Sequence, residues 1–240
     1  MPYLSKVIED LQFLYFNLKY SILETSTLLH TYQYKKRFMA RYTGAKLRIT
    51  RRLGDLPGLT SKKPKLTQRP GQHGATQKKL TQYAIRLEEK QKLRFNYGLS
   101  EKQLMNYIRE AKKIKGATGN ILLQLLEMRL DNVIFRLGMA PTIAAARQIV
   151  GHKHIMVNKS CVSIPSYQCQ PGDILSVKDS TASKNLVSKN LKLPALSNVP
   201  QNLDFDKNSL NAKVLGIIDR EWIALKLNEL FVIEYYSRKI

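Results

Sequence analysis

The chain has 240 residues, of which 43% are hydrophobic, so it can build the core of one or two domains and is not disordered as a whole. Its 40 Lys and Arg residues outnumber 18 Asp and Glu residues, which gives a formal net charge of +22. Nucleic acid is the partner that best neutralises such a charge, because each phosphate that pairs with Lys or Arg also releases condensed counterions. A membrane-spanning helix is not predicted, since no run reaches the roughly 18 apolar residues that a bilayer requires.

Residues 1–38 carry apolar side chains at helical spacing from Leu4 to Ile22, which predicts an amphipathic helix. Acidic residues occur early and no Arg appears before Arg37, which argues against a transit peptide. The polar face is not basic, which argues against a helix that lies on an anionic membrane. We expect an added helix that docks its apolar face on a neighbouring surface.

The segment 39–80 is basic and rich in turns. It carries eleven Lys and Arg residues against the single acid Asp55, an imbalance beyond what solubility requires. Gly and Pro interrupt it at eight positions, which excludes one long helix. The pattern predicts an extended arm that threads between RNA strands.

A helical pattern follows the arm. Gly98 ends a first helix, and Ser100 with Gln103 forms a capping box for a second helix near residues 101–115. A glycine-bounded break then separates this helix from a third at residues 120–127.

Residues 129–179 read as a small module in which helical spacing gives way to alternation. Gly138 ends one short helix, and Thr142 begins a second helix that Gly151 ends. Alternating apolar residues then predict strands, and residues typical of turns separate them. The predicted strands are 155–157 and 174–177, and the predicted turns are 158–160 and 171–173.

The two cysteines fall in what reads as one hairpin. A cross-strand disulfide between Cys161 and Cys169 is conceivable, but two reduced, semi-buried thiols are predicted because intracellular disulfides are rare. A zinc site is not predicted, since the His and Cys residues do not form paired short spacings.

Four stretches of the module carry a specific pattern: Arg129-Leu-Asp-Asn-Val-Ile-Phe-Arg-Leu-Gly, Ala146-Arg-Gln-Ile-Val-Gly-His-Lys-His-Ile-Met-Val-Asn, Pro165-Ser-Tyr and Pro171-Gly-Asp-Ile-Leu. They look like the RNA-binding domain named after ribosomal protein S4.

Stretches outside the module extend the pattern: Met39-Ala-Arg-Tyr-Thr-Gly-Ala-Lys-Leu-Arg, Arg51-Arg-Leu-Gly, Pro70-Gly-Gln-His-Gly and Asn228-Glu-Leu-Phe-Val-Ile-Glu-Tyr-Tyr-Ser-Arg-Lys. Together they resemble the S4 family of small-subunit ribosomal proteins, of the bacterial and chloroplast type. Residues 1–38 precede the usual start at Met39, and residues 180–211 match the family poorly.

The resemblance implies an α+β fold, with a helical domain, a small S4-type RNA-binding module of two short helices and an antiparallel sheet, and an extended basic N-terminal arm. The implied division is a helical extension at 1–38, the rRNA-binding arm at 39–80, a helical domain at 81–128 plus 222–240, and the RNA-binding domain with a linker at 129–221.

The resemblance also implies a function as a structural constituent of the small ribosomal subunit, with no enzymatic activity, cofactor or metal. Such proteins are primary binders of small-subunit rRNA, especially its 5′ domain; they nucleate assembly of the subunit body and contribute to translational accuracy. Expected neighbours are ribosomal proteins of the S5 and S12 families and mRNA near the place where it enters the subunit, with no membrane partner. The sequence looks most like the chloroplast-encoded version, so we expect the chloroplast stroma, in the ribosome; the bacterial cytoplasm and the mitochondrion are the alternatives.

The candidate RNA-binding residues are basic, aromatic or amide side chains. Arg136 and Arg147 could instead pair with local acids, and Tyr42 and His73 could stack on bases or merely pack. The full set is Arg41, Tyr42, Lys46, Arg48, Arg51, Arg52, Lys62, Lys63, Gln72, His73, Lys78, Lys79, Arg86, Lys90, Arg94, Lys112, Lys113, Lys115, Arg129, Arg136, Arg147, His152, Lys153, His154, Lys159 and Arg238.

Two other functions match parts of the sequence. RNA pseudouridine synthases carry the same module, and their catalytic Asp lies in an Arg-Leu-Asp sequence that Arg129 to Asp131 match. We expect Asp131 to orient Arg129 or a backbone amide instead, because no separate catalytic domain of adequate length remains. A quality-control factor that binds stalled large subunits would need the module but not the long arm, and co-sedimentation with small or large subunits distinguishes the two.

Overall fold

The computed structural model describes residues 42–66, 68–76, 79–192 and 199–237, which belong to one compact unit that begins at Tyr42. The helix predicted for residues 1–38 lies outside the described residues. Three candidate RNA-binding residues lie outside them as well: Arg41, Lys78 and Arg238.

The described part of the chain has an α+β fold, which confirms the predicted class. The helices are α1 (Lys46–Leu53), α2 (Gln82–Asn96), α3 (Glu101–Lys113), α4 (Thr118–Glu127), α5 (Leu130–Arg136), α6 (Ile143–Gly151), α7 (Thr181–Leu191) and α8 (Glu229–Ser237). The strands are β1 (Ile155–Val157), β2 (Ser160–Cys161), β3 (Ile174–Val177), β4 (Leu203–Asp206) and β5 (Asn211–Val214), and a short 3-10 helix spans Arg220–Trp222. None of the helices in this part of the chain has the length and apolar character needed to cross a membrane.

Side-chain caps fix where several helices begin. The Ser100 hydroxyl accepts a hydrogen bond from the Gln103 N–H, and the Gln103 side chain accepts one from the Ser100 N–H, which completes the predicted capping box at α3. The Thr142 hydroxyl accepts the Ala145 N–H at the start of α6, and Thr81 caps α2 in the same way.

The C-terminal helix α8 completes the helical part by packing against α2 and α4. Val232 and Tyr236 of α8 are fully buried. The Tyr236 hydroxyl donates to Glu101 Oε1 at 2.5 Å, and Lys90 Nζ of α2 lies 3.1 Å from the same oxygen. A single carboxylate at the start of α3 therefore holds both α2 and α8.

The first half of the arm is folded into the protein, which the sequence analysis did not predict. It forms α1, and Ile49, Leu53, Leu56 and Leu59 are all buried in the core. The Gly58 N–H donates to the Asn96 side chain at 2.9 Å, and a Cβ at Gly58 would lie 2.7 Å from the Asn96 carbonyl oxygen. The second half of the arm, from residue 61 to 80, contains no helix or strand over the residues described.

The five strands form one antiparallel sheet in the order β2-β1-β3-β5-β4. The predicted strands at 155–157 and 174–177 pair directly, with Ile155 opposite Val177 and Val157 opposite Leu175. All four of these side chains are buried, because alternate residues point to the same face. Residues 180–211, which match the family pattern poorly, supply helix α7, which packs against β3, and edge strand β4.

The turn between β1 and β2 uses an uncommon backbone conformation. Asn158 and Lys159 both have positive φ, of 48° and 67°, as a two-residue hairpin turn of the type I′ class requires. The Asn158 side chain accepts the Ile174 N–H at 3.0 Å and donates to Asp173 Oδ1 at 2.8 Å. Both predicted turns of the module are therefore tied to each other.

The two thiols are free, as predicted, but they differ in environment and do not share a hairpin. Cys161 is exposed in β2, whereas Cys169 follows β2 and is 4% exposed, and its N–H donates to the Met128 carbonyl at 2.8 Å. Burial, with Asp173 and Asp131 adding to it, raises the pKa of Cys169 to about 12.

Changing Asn158 tests the locked turn. Asn158→Ala removes two hydrogen bonds and forces an alanine into the left-handed region, so we expect the free energy of unfolding to fall by about 2 kcal/mol in urea denaturation. Asn158→Gly is the matched control: it loses the same hydrogen bonds but adopts positive φ without strain, so its loss should be about half as large. Equal unfolding midpoints for the wild type and the alanine variant would contradict this account.

Candidate nucleic-acid interface

A groove of about 1330 Å³ opens between α1, the loop at residues 68–76 and α2. Arg48 and Arg52 line it from α1, and Gln72 and His73 line it from the loop. All four side chains belong to the candidate set and all four residues are exposed. The groove offers guanidinium groups for phosphates and amide and imidazole groups for unpaired base edges.

An aromatic pair lies at the same groove. Tyr42 packs edge-on against Phe95, with ring centroids 5.4 Å apart, and the Arg94 guanidinium carbon lies 5.4 Å from the Phe95 centroid. Tyr42 is nevertheless 45% exposed. Tyr42 thus packs and still leaves part of its surface open to a stacking base.

A second groove of about 830 Å³ lies beside α1. Arg48 and Arg51 of α1 line it together with the exposed Lys62, Lys63 and Lys65. Arg48 lines both grooves. Helix α1 therefore carries positive charge into two neighbouring concave surfaces.

Further exposed cations lie at the end of α3 and at the boundaries of the arm. Lys112 and Lys113 close α3, where the helix dipole favours positive charge, and Lys115 follows two residues later. Lys79 is exposed, and Lys46 is partly exposed at the first position of α1.

The connection from α6 into the sheet gathers a compact basic cluster. The rings of His152 and His154 are 6.1 Å apart, and Lys153 between them has φ 62°. His154 Nδ1 lies 2.8 Å from the Ser183 hydroxyl oxygen, which holds that ring in place. His152, Lys153 and Lys159 are exposed.

Other candidate cations are used inside the protein. Three candidate cations lie in α2, namely Arg86, Lys90 and Arg94, and the side chain of each contacts a partner on another element or turn. Lys90 is only 4% exposed. The partners are Glu234 for Arg86 at 2.5 Å, Glu101 for Lys90 at 3.1 Å, and the Leu99 carbonyl for Arg94 at 3.3 Å.

Asp131 is 1% exposed and binds two of the candidate arginines. Arg129 donates to both carboxylate oxygens, at 3.1 and 2.8 Å, and to the Tyr107 hydroxyl at 2.6 Å. Arg147 donates to Asp131 at 2.8 Å and to the carbonyls of Tyr97 and Gly98 at 2.6 Å each. The expectation that Asp131 orients Arg129 is confirmed.

Glu127 organises a second buried network. Arg136 binds it in a bidentate manner at 2.9 and 3.0 Å, and Asn132 and the Tyr97 hydroxyl each donate to it at 2.5 Å. Burial is the largest single influence on the pKa of Arg136 and lowers it, but the charge of Glu127, the hydrogen bond to Glu127 and the nearby Tyr97 together raise the pKa above its usual value. Burial and then the Glu127 charge raise the pKa of Tyr97 well above its usual value, so its proton stays in the hydrogen bond.

Burial separates the candidate residues into two groups. Arg129 and Arg136 are 3% and 5% exposed, and each donates two hydrogen bonds to a buried carboxylate, so neither guanidinium is accessible to a phosphate at the surface. We therefore remove them from the proposed RNA contacts. The structure adds groove residues outside the candidate set, namely Lys65, Gln68, Arg69, Gln91 and Phe95. The arm's excess of positive charge could have identified Lys65 and Arg69, whereas no local signal marked the others.

Among the described residues, no group of three His, Cys, Asp or Glu side chains is placed to hold a metal ion.

Two family models match the chain in tandem. The Ribosomal protein S4/S9 N-terminal domain covers residues 41–127, and the S4 domain covers residues 128–175. The boundary between them falls at the junction of α4 and α5, where the two buried carboxylates lie.

Curated proteins match over most of their lengths. Small ribosomal subunit protein uS4c of Emiliania huxleyi is 80% identical over 202 residues, which cover 84% of this chain and 100% of that protein. Small ribosomal subunit protein uS4c of Rhodomonas salina is 63% identical over 201 residues, and uS4 of Thermosynechococcus vestitus is 61% identical over 202 residues. Both alignments again cover 84% of this chain and the whole of the relative.

Glu127→Gln tests the buried network without changing its shape. The variant leaves the buried Arg136 without a counter-charge, so we expect the free energy of unfolding to fall by about 3–5 kcal/mol in urea denaturation. Asp179→Asn, which breaks the exposed contact of Asp179 with Lys184, is the control and should leave the unfolding midpoint unchanged. Similar midpoints for the two variants would show that Glu127 has no special role in stability.

Proposed function

This chain belongs to the family of small ribosomal subunit protein uS4, a structural constituent of the ribosome and not an enzyme, and from that premise we propose that it is a primary binder of small-subunit rRNA that nucleates assembly of the subunit body. The observation that supports this role is the separation of its charges. Cations near buried acids are paired inside the fold, while most described cations of the arm, the lysines at the end of α3 and Lys153 of the α6–β1 connection are exposed.

The proposed contact surface consists of three groups. The first is the pair of grooves beside α1, the second is the lysine cluster at 112–115, and the third is the cluster at 152–154 with Lys159. Groups spread in this way suit a folded RNA, because phosphate contacts distribute the binding energy over many positions. Arg41, Lys78 and Arg238 remain in the proposal on their sequence alone.

Finer partners follow from the family. We propose the 5′ domain of the small-subunit rRNA as the binding region, ribosomal proteins of the S5 and S12 families as neighbours, and a position near the place where mRNA enters the subunit. A contribution to translational accuracy rests on the same neighbours.

The division into functional segments is also a proposal. The arm at 39–80, a helical domain at 81–128 plus 222–240 and the RNA-binding domain at 129–221 are supported by the packing of α8 on α2 and by the single sheet formed between residues 155 and 214. The arm is not an independent unit, since α1 contributes Ile49 and Leu53 to the shared core.

Asp131 is not the catalytic residue of a pseudouridine synthase, because the chain belongs to a family of structural ribosomal proteins. The position of Asp131 in the structure also does not allow that role. A catalytic Asp must reach a flipped-out base, whereas Asp131 is 1% exposed and is held by both Arg129 and Arg147.

Salt dependence tests the RNA-binding proposal. We expect the affinity for a transcript of the 5′ domain to fall steeply with KCl in filter binding, and Lys62→Ala with Lys63→Ala to reduce the slope of log K against log salt by about one for each lysine. Lys207→Ala, in the turn between β4 and β5, is the control because this exposed lysine lies outside the proposed surface. A flat salt response of the wild type would overturn the proposal.

The compartment is the chloroplast stroma in this proposal, with a bacterial cytoplasm or a mitochondrion as alternatives. Two of the relatives are plastid-type uS4c proteins, although a cyanobacterial uS4 is almost as similar as one of them. We expect mass spectrometry of ribosomes from fractionated cells to find the chain in the small subunits of plastid ribosomes. Its recovery in mitochondrial ribosomes, or from a cell without plastids, would contradict this.

A further inference from the structure

The guanidinium of Arg51 is directed at the protein backbone. Its Nε donates to the Gln68 carbonyl at 3.0 Å, and its Nη2 lies 3.5 Å from the Arg69 carbonyl oxygen. Arg51 lies on α1, so these contacts tie the start of the loop at 68–76 to that helix across 17 residues of sequence. The neighbouring Arg52 lines the same groove as the loop and is exposed.

The loop is also tied to the opposite wall of the groove. The Arg69 side chain pairs with Glu88 of α2 at 3.1 Å. Glu88 is only 18% exposed at its side chain, so this carboxylate is partly shielded from water. Arg69 thus contacts α1 through its carbonyl and α2 through its guanidinium, and the loop spans the groove between these two helices.

The turn that follows is tight and folds back on the held carbonyl. Gly74 N–H donates to the Gly71 carbonyl at 3.1 Å, and Thr76 N–H donates to the His73 carbonyl at 3.2 Å. A Cβ on Gly74 would lie 1.9 Å from the Arg69 carbonyl oxygen, so only glycine allows this approach. The exposed Gln72 lies with His73 at the tip of this turn, and both line the groove.

We propose that Arg51 is a positioning residue for RNA binding, which holds the turn at residues 70–76 so that Gln72 and His73 face the groove before RNA arrives. The inference rests on the proposed function, because it assigns Arg51 a different role within the same binding surface. A guanidinium is suited to this task, since its fixed fork of donors can reach two successive carbonyls. Lysine retains the charge but has no such fork.

Arg51→Lys therefore separates the two roles. If Arg51 is a positioning residue, the Arg51→Lys variant should bind the 5′-domain transcript about tenfold more weakly than the wild type. The reason is that the variant loses hydrogen bonds but keeps the positive charge. The slope of log K against log salt should stay at the wild-type value. In the free protein, hydrogen exchange at the amides of Gly74 and Thr76 should become about tenfold faster as the turn opens more often.

Arg52 supplies the matched comparison on the same helix. Arg52→Ala should lower the salt slope by about one, with no change in exchange at residues 74 and 76. Lys207→Ala, which lies outside the proposed surface, should bind and exchange as the wild type does.

Two results would overturn the inference: unchanged exchange at residues 74 and 76 in Arg51→Lys, or full affinity of that variant. A failure of the proposed function looks different. There, the wild type itself would bind the transcript without salt dependence, while the exchange measurement on the free protein would still decide whether Arg51 holds the turn.

Discussion

Two buried carboxylates, Glu127 and Asp131, set the geometry of the centre of this protein. An ionised carboxylate in an apolar interior is very costly unless several donors satisfy it, so each acid requires its partners to converge from defined directions. Tyr97 at the end of α2, Asn132 and Arg136 of α5, and Arg147 of α6 all meet this requirement. Because the two acids flank the junction of α4 and α5, their partners fix how the helical part and the RNA-binding module pack together.

This constraint also decides which cations remain available to a ligand. In a chain with a net charge of +22, acids are scarce, and the buried ones neutralise the arginines beside them. The exposed lysines and arginines of the arm have no such counter-charge in the same segment apart from Asp55. A positively charged surface therefore arises from where the acids are placed as much as from where the cations are placed.

Local chemistry accounts for what the sequence predicted well. The capping box at Ser100, the cap at Thr142 and the alternation at residues 155–157 all depend on neighbours within about four residues, and each is present in the structure. The contact of Arg129 with Asp131 could be predicted because it is local. The contacts of Arg147 with the Gly98 carbonyl, 49 positions away, and of Tyr97 with Glu127, 30 positions away, could not be predicted because they join distant residues. Helix α1 was missed for a related reason, since its apolar residues lie among Lys and Arg and find their partners only in the assembled core.

The folded state of the arm changes how its binding should be understood. A segment with eleven cations and eight turn-forming residues suggests a chain that orders only on RNA, at a substantial cost in conformational entropy. In the structure, Leu53 and Leu56 anchor the first half of the arm in the core, and the second half is tied to α1 through a backbone carbonyl and to α2 through the Arg69 side chain. Much of the ordering has then occurred before RNA binds, so a larger share of the phosphate interactions is left to determine affinity. In the proposed function, the buried Leu53 and Leu56 thus support binding by holding the cations of the arm in place.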